Sequence, residues 1–177
     1  MALLTVLALF PFQRATAFHP VTYEYHIGDA FLTAFDPSFG PDIARAANGD
    51  TVEVVGTGTF GHRPDDVTGG GTFVHRNADG EIIATGTWRA LYRVSYRSYG
   101  SGATQGLPDN FDGGRARLLI EAVLDDNPSQ KFFGYVIIDC TLGDSIPSGA
   151  VEGVRIIMPG LIHFDESIGG ATLFVKL

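Results

Sequence analysis

Five histidines, His19, His26, His62, His75 and His163, are the first candidates for proton chemistry in this chain. An unperturbed imidazole gives and takes a proton near neutral pH, which suits it to general acid–base work. None of the five has the spacing of a metal site: there is no His-x-His, no HExxH and no His paired with a carboxylate at a helical interval, so no metal is expected. His75 lies two residues from Phe73 and shares its face if the segment is a strand. It then reads either as a satisfied core or rim histidine or as a general acid or base in a pocket. Nucleophile patterns are missing. No G-x-S-x-G elbow occurs, and the single Cys140 closes an apolar run from Phe132 with no basic neighbour in sequence, which reads as a buried, inert thiol. Gly69-Gly70-Gly71 lacks the Lys-Ser/Thr and the helix of a phosphate cradle. Asp139 is a lone acid in that apolar run. It sits either at an exposed strand end or in the interior, where a buried carboxyl would mark a site.

Rings supply the second constellation. Tyr23, Tyr25, Phe60, Phe73, Trp88, Tyr92, Tyr96, Phe132, Phe133 and Tyr135 recur at alternate positions. They read either as core or as the lining of a cavity whose tyrosine hydroxyls need partners. In the second reading Phe73, Trp88, Tyr92, Tyr96 and Tyr135 line the cavity, and His75, Tyr92, Arg93 and Asp139 are the candidate catalytic groups. Trp88 and Tyr92 share a strand face while Arg93 is on the opposite one, so both sets are interior only if a bulge intervenes. Charge adds a third feature. The net charge of −8 disfavours nucleic acid as a partner, because phosphate contacts need clustered Lys and Arg. Yet seven of the twelve basic residues (Arg63, Arg76, Arg89, Arg93, Arg97, Arg115 and Arg117) fall in the middle of the chain. They form either a solvated stripe on a twisted sheet or an anion-receptive face, and arginine suits planar, bidentate contacts.

The elements that must position these groups are strands. Gly58-Thr59-Phe60, Gly71-Thr72-Phe73 and Gly86-Thr87-Trp88 repeat one phrase, and the stretch from Thr51 to Tyr99 alternates with the period of two expected of β-structure. Asn77-Ala78-Asp79-Gly80 is a hairpin turn. Arg115 to Leu124 alternates with Ala116, Leu118, Ile120, Ala122 and Leu124 inward, and further strands fall at Val21 to Ile27, Lys131 to Cys140, Val154 to Met158, Leu161 to Phe164 and Ala171 to Leu177. The 177 residues suffice for one domain with a real core. With no helix to cover a sheet, the expected fold is all-β. It is a single antiparallel β-barrel of roughly eight to ten strands, with a β-sandwich as the alternative. One short helix is expected near residues 41–47, entered through Pro41 and ended by Asn48-Gly49. No segment reaches the roughly twenty apolar residues of a membrane-spanning helix.

The Gly-Thr-aromatic strands, the hairpin from Asn77 to Gly80 and the closing Gly169-Gly170-Ala171-Thr172-Leu173-Phe174 resemble the small barrels of the allene-oxide-cyclase and dirigent group. The resemblance implies a barrel that holds a reactive hydrophobic intermediate and steers its cyclisation or coupling, without metal or cofactor. No catalytic residue of that group maps onto a position here. Residues 1–17 read either as a signal peptide, with Ala15-Thr16-Ala17 as its cleavage pattern, or as a first strand; 18–177 is the barrel domain. Location is therefore open between secreted and intracellular. Two functions follow. One is a barrel that binds a hydrophobic small molecule in an aromatic-lined interior, with or without directing its cyclisation or isomerisation. The other is a non-enzymatic module with a filled core that acts through its surface or assembles with copies of itself.

Overall fold

The computed structural model describes residues 21–177. The expectation for residues 1–17 lies outside them. Among the described residues ten strands form one antiparallel sheet: β1 Tyr23–Ile27, β2 Asp42–Ala46, β3 Thr51–Phe60, β4 Gly70–Arg76, β5 Ile82–Ser101, β6 Phe111–Leu124, β7 Lys131–Cys140, β8 Gly153–Met158, β9 Ile162–Gly169 and β10 Thr172–Lys176. From β3 to β9 each strand pairs with the next, and β9 returns to β2, which pairs β3, so the sheet closes into a ring. The all-β, ring-closed architecture expected from the two-residue rhythm is present.

The ring forks. The first half of β3 (Thr51 to Val54) pairs β2, whereas its second half (Gly56 to Phe60) pairs β1. Likewise β6 pairs β7 along Gly114 to Val123 but gives Phe111 and Asp112 to β10. Strands β1 and β10 pair with each other across five residue pairs. The long strands β3 to β6 are therefore closed at one end by β2 and β7 to β9, and at the other by β1 and β10. This fork creates two interior compartments.

The helix expected near 41–47 is not there. Asp42–Ala46 is β2, and the short helix, α1, spans Ala30–Thr33 with Asp29 as its N-cap. The reason is burial and pairing. A two-turn helix is marginal by itself, whereas Asp42, Ala44 and Ala46 alternate inward in a strand flanked by β3 and β9. The Ala-rich composition favoured a helix; small side chains in a crowded ring decided for a strand.

The 20-residue β5 contains the largest surprise. Register against β6 runs Trp88↔Ala122, Ala90↔Ile120, then Tyr92↔Leu119, Arg93↔Leu118, then Ser95↔Arg117, Tyr96↔Ala116. One extra residue is inserted after Ala90 and another after Arg93. Each insertion moves the following side chain to the other face. The interior-facing set is therefore Trp88, Ala90, Arg93 and Tyr96, opposite the buried Ile120, Leu118 and Ala116. Tyr92 turns outward and is 43% exposed.

Candidate functional site

The compartment closed by β2 and β7 to β9 is only partly filled. A cavity of about 280 Å³, open at one end, remains inside it. Val52 and Val54 of β3, Phe73 of β4, and Ala84 and Trp88 of β5 form one wall. Ile120, Ala122 and Leu124 of β6, with Phe132 of β7, form a second. Ile156 and Met158 of β8 and Ile162 and Phe164 of β9 complete it, and Leu161, exposed in the β8–β9 turn, stands at the lip. The volume lies near the lower end of the range of roughly 300–1,000 Å³ typical of small-molecule pockets.

Two large rings enter this wall because glycines opposite them leave room. A Cβ at Gly56 would collide with the Trp88 indole, and one at Gly86 would collide with the Phe73 ring. The glycines of the repeated phrase and its neighbours thus serve close approach rather than turns. The Trp88 indole N–H donates to the Val55 carbonyl at 3.3 Å, so the ring is held by a bond as well as by packing.

Among the described residues, His75 is the only titratable side chain in the lining. Its Nε2 lies 3.1 Å from Asp50 Oδ2, and both side chains are largely buried. The imidazole meets the Phe164 ring edge-on, with centroids 5.1 Å apart, and this fixes its plane. Asp50 is itself anchored: its carbonyl accepts from Ala46 N–H, and its own N–H donates to Asn48 Oδ1. In the neutral tautomer that donates Nε2–H to Asp50, Nδ1 is left as an acceptor. An apolar chamber with one oriented imidazole can hold a mostly apolar molecule by burial and meet one hydroxyl or other polar group at a defined point.

Of the residues expected to line the cavity or act in it, Phe73, Trp88 and His75 come together there, joined by Phe132 from the wider set of rings. The other three rings expected in the lining do not. Tyr92 is turned out by the first insertion of β5. Tyr135 is on the outer face of β7, under the Arg117 guanidinium at 4.1 Å from the ring centre. Tyr96 faces inward but belongs to the other compartment, where its ring packs on Tyr23, Phe60 and Phe174 with centroids 4.7–5.2 Å apart. Burial pushes its hydroxyl well above the ordinary tyrosine range. Arg93 faces inward, yet it caps that second compartment rather than the cavity. It lies over the Phe60 ring and donates to the His62 carbonyl at 2.7 Å.

Asp139 is not at an exposed strand end. It is fully buried on the outer face of β7, accepting from Tyr99 Oη at 2.9 Å and from Arg115 Nε at 2.8 Å, with Arg155 at 3.3 Å. Arg115 also reaches it through a second guanidinium nitrogen. The Tyr99 hydroxyl is held above its usual range, first by burial and then by this carboxylate. The cluster is a satisfied structural network separate from the cavity. Cys140 is buried, and burial drives its thiol well above the usual range, which makes it a poor nucleophile.

Asp50 is the site residue that sequence reading missed. It precedes β3, and its approach to His75 depends on the pairing of Val52 with His75 across two strands. Among the described residues no group of His, Cys, Asp and Glu is arranged to hold a metal ion, and no helix is long and apolar enough to cross a membrane. No protein-family model, curated protein or solved structure matches this chain.

Proposed function

We propose that this protein binds an apolar small molecule carrying one polar group in the cavity between β3 and β9. The observation that carries the reading is the contrast within one wall: a half-open apolar chamber in which His75, braced by Asp50 and Phe164, is the sole titratable lining residue. Apolar burial at about 25 cal/mol per Å² supplies the affinity, and the imidazole supplies the orientation. The enzymatic form of the reading is isomerisation or cyclisation. His75 takes a proton from the bound molecule and returns it at another atom while the chamber holds the chain folded, so no second reactant is consumed. The likeness of the glycine-rich strands to allene-oxide-cyclase and dirigent barrels points to the same kind of chemistry.

Displacement of a fluorescent apolar probe by a medium-chain alcohol and by the matching alkane tests it. The alcohol is expected to bind more tightly by about five- to tenfold, the size of one net hydrogen bond. Equal affinities would remove His75 from the site, and no displacement by either would remove the site.

A further inference from the structure

We propose that the outer face of β5 to β8 is a binding site for a phosphate-type oxyanion, independent of the interior cavity. Four arginines cluster at one end of this face. Arg97 of β5 stands directly opposite Arg115 of β6. Arg117 is two residues further along β6 on the same face and pairs Ile137, which in turn pairs Arg155 of β8. Neighbouring strands are about 4.8 Å apart and same-face residues about 7 Å apart, so the four side chains stem from neighbouring positions of one face.

One carboxylate faces them. Asp139 accepts from Arg115, Arg155 and the Tyr99 hydroxyl, and among the described residues no carboxylate forms an ion pair with Arg97 or Arg117. Glu121, further along β6, is taken by Arg89 and Lys131. Asp144, in the loop beside Gly100, is bonded to Ser145. The face therefore carries a surplus of positive charge on a chain whose net charge is −8. Like charges directly opposite each other on paired strands are unfavourable, and an anion between them removes that cost.

Arg117 is set up for such a ligand. Its guanidinium is laid on the Tyr135 ring, which fixes its plane, and its Nε is withdrawn from solvent without a hydrogen-bond partner. A buried donor in that state loses hydration and gains nothing until an acceptor arrives. Planar, pre-oriented guanidinium groups match the paired oxygens of phosphate better than ammonium groups do.

The test is titration with inorganic phosphate, and separately with glycerol phosphate, at constant ionic strength set by chloride, read by calorimetry and by melting temperature. Wild type is expected to bind at least one of the two saturably. Arg97→Gln, which breaks no ion pair, and Arg117→Lys, which keeps the charge but loses the flat fork, should each weaken binding by about tenfold. Arg63→Gln, in an exposed loop pair with Asp65, should leave it unchanged. Tighter binding of the ester would identify the group as part of a larger metabolite, and tighter binding of the free ion would identify phosphate itself. Failure of both to saturate, or equal loss in Arg63→Gln, overturns the site. Neither result bears on the cavity, because the four arginines, Asp139 and Tyr135 lie on the opposite face of the sheet.

Discussion

The two compartments of the ring are built from the same four strands and are filled in opposite ways. Where β1 and β10 close β3 to β6, five rings, Tyr23, Tyr25, Phe60, Tyr96 and Phe174, pack in mutual contact. Two of the three hydroxyls are met: Tyr25 Oη donates to the Thr68 carbonyl at 2.9 Å and Tyr23 Oη to Asp112 at 3.0 Å, while Tyr96 Oη is buried without a hydrogen-bond partner. Where β2 and β7 to β9 close the same strands, the inward residues are mostly aliphatic or small, and space remains. Trp88 stands at the boundary, stacked toward Tyr25 on one side and lining the cavity on the other. A ring of β-structure gains stability from filling its interior, so the filled end contributes most to stability, and the open end is where the proposed binding would take place.

The largest expected effect breaks the filled end. Phe60 is 1% exposed and touches four of the other rings. Phe60→Ala should cost about 3–5 kcal/mol of unfolding free energy, read from the urea midpoint. Trp88→Ala removes a ring that already borders empty space, and it should cost less than Phe60→Ala despite the larger side chain. The reverse order would mean that the cavity is not part of the resting interior.

This division was only half legible in the sequence. The period-two alternation and the Gly-Thr-aromatic phrases place Phe73 and Trp88 inside, because they depend on local strand geometry alone. Which closing strand each inward ring meets depends on the fork in β3 and β6, and no local pattern encodes it. The exchange of Tyr92 for Arg93 on the interior face follows from insertions that only the β6 register reveals. Sequence alone leaves Asp139 between an exposed strand end and the interior, because its partners Tyr99, Arg115 and Arg155 come from three different strands. The segment 41–47 looked helical because its propensity is local, while the pairing that overrides it is not.

A pH experiment sharpens the comparison next. Along β2 the inward residues run from Ala46, paired with Phe164 of the cavity wall, to Asp42 at the far end, which is fully buried. Burial pushes the Asp42 carboxyl up to about 7, aided by Glu152 and opposed by the Val154 N–H that donates to it at 3.0 Å. An unfolded Asp ionises near pH 3.9. Between about 4 and about 7 the folded chain therefore keeps a proton that the unfolded chain has released. This stabilising contribution is complete below about pH 4, declines as pH rises to about 7, and is level beyond. Asp42→Asn should abolish this slope and gain on wild type by up to about 1.4 kcal/mol for each pH unit through the window. Parallel stability profiles for the two proteins would show that water reaches this end.

A matched pair of substitutions on one strand has a smaller effect and isolates packing. Ala116 and Ala122 both face inward on β6, one opposite Tyr96 in the filled end and one opposite Trp88 at the cavity. Ala116→Leu should overpack and cost about 1–3 kcal/mol, whereas Ala122→Leu should change stability by less than about 1 kcal/mol. The second variant should nevertheless exclude the apolar probe. Equal costs at the two positions would show that the strands close over both compartments alike.

The smallest change in stability belongs to His75, and it bears most directly on what the open end is for. In His75→Gln an amide replaces the imidazole and can still donate to Asp50, so the carboxylate is not abandoned in a largely buried site. The fold should lose no more than about 1 kcal/mol. What the glutamine lacks is the edge contact with Phe164 and the second ring nitrogen. The alcohol should therefore lose its five- to tenfold advantage over the alkane, while the alkane's own affinity stays within about twofold of wild type. If both ligands weaken together, the substitution has deformed the chamber, and Asp50→Asn, which keeps the ring and removes only its brace, separates the two causes. A preference that survives in both variants would assign the polar contact to a backbone group of the wall, and the chamber would then select by shape alone.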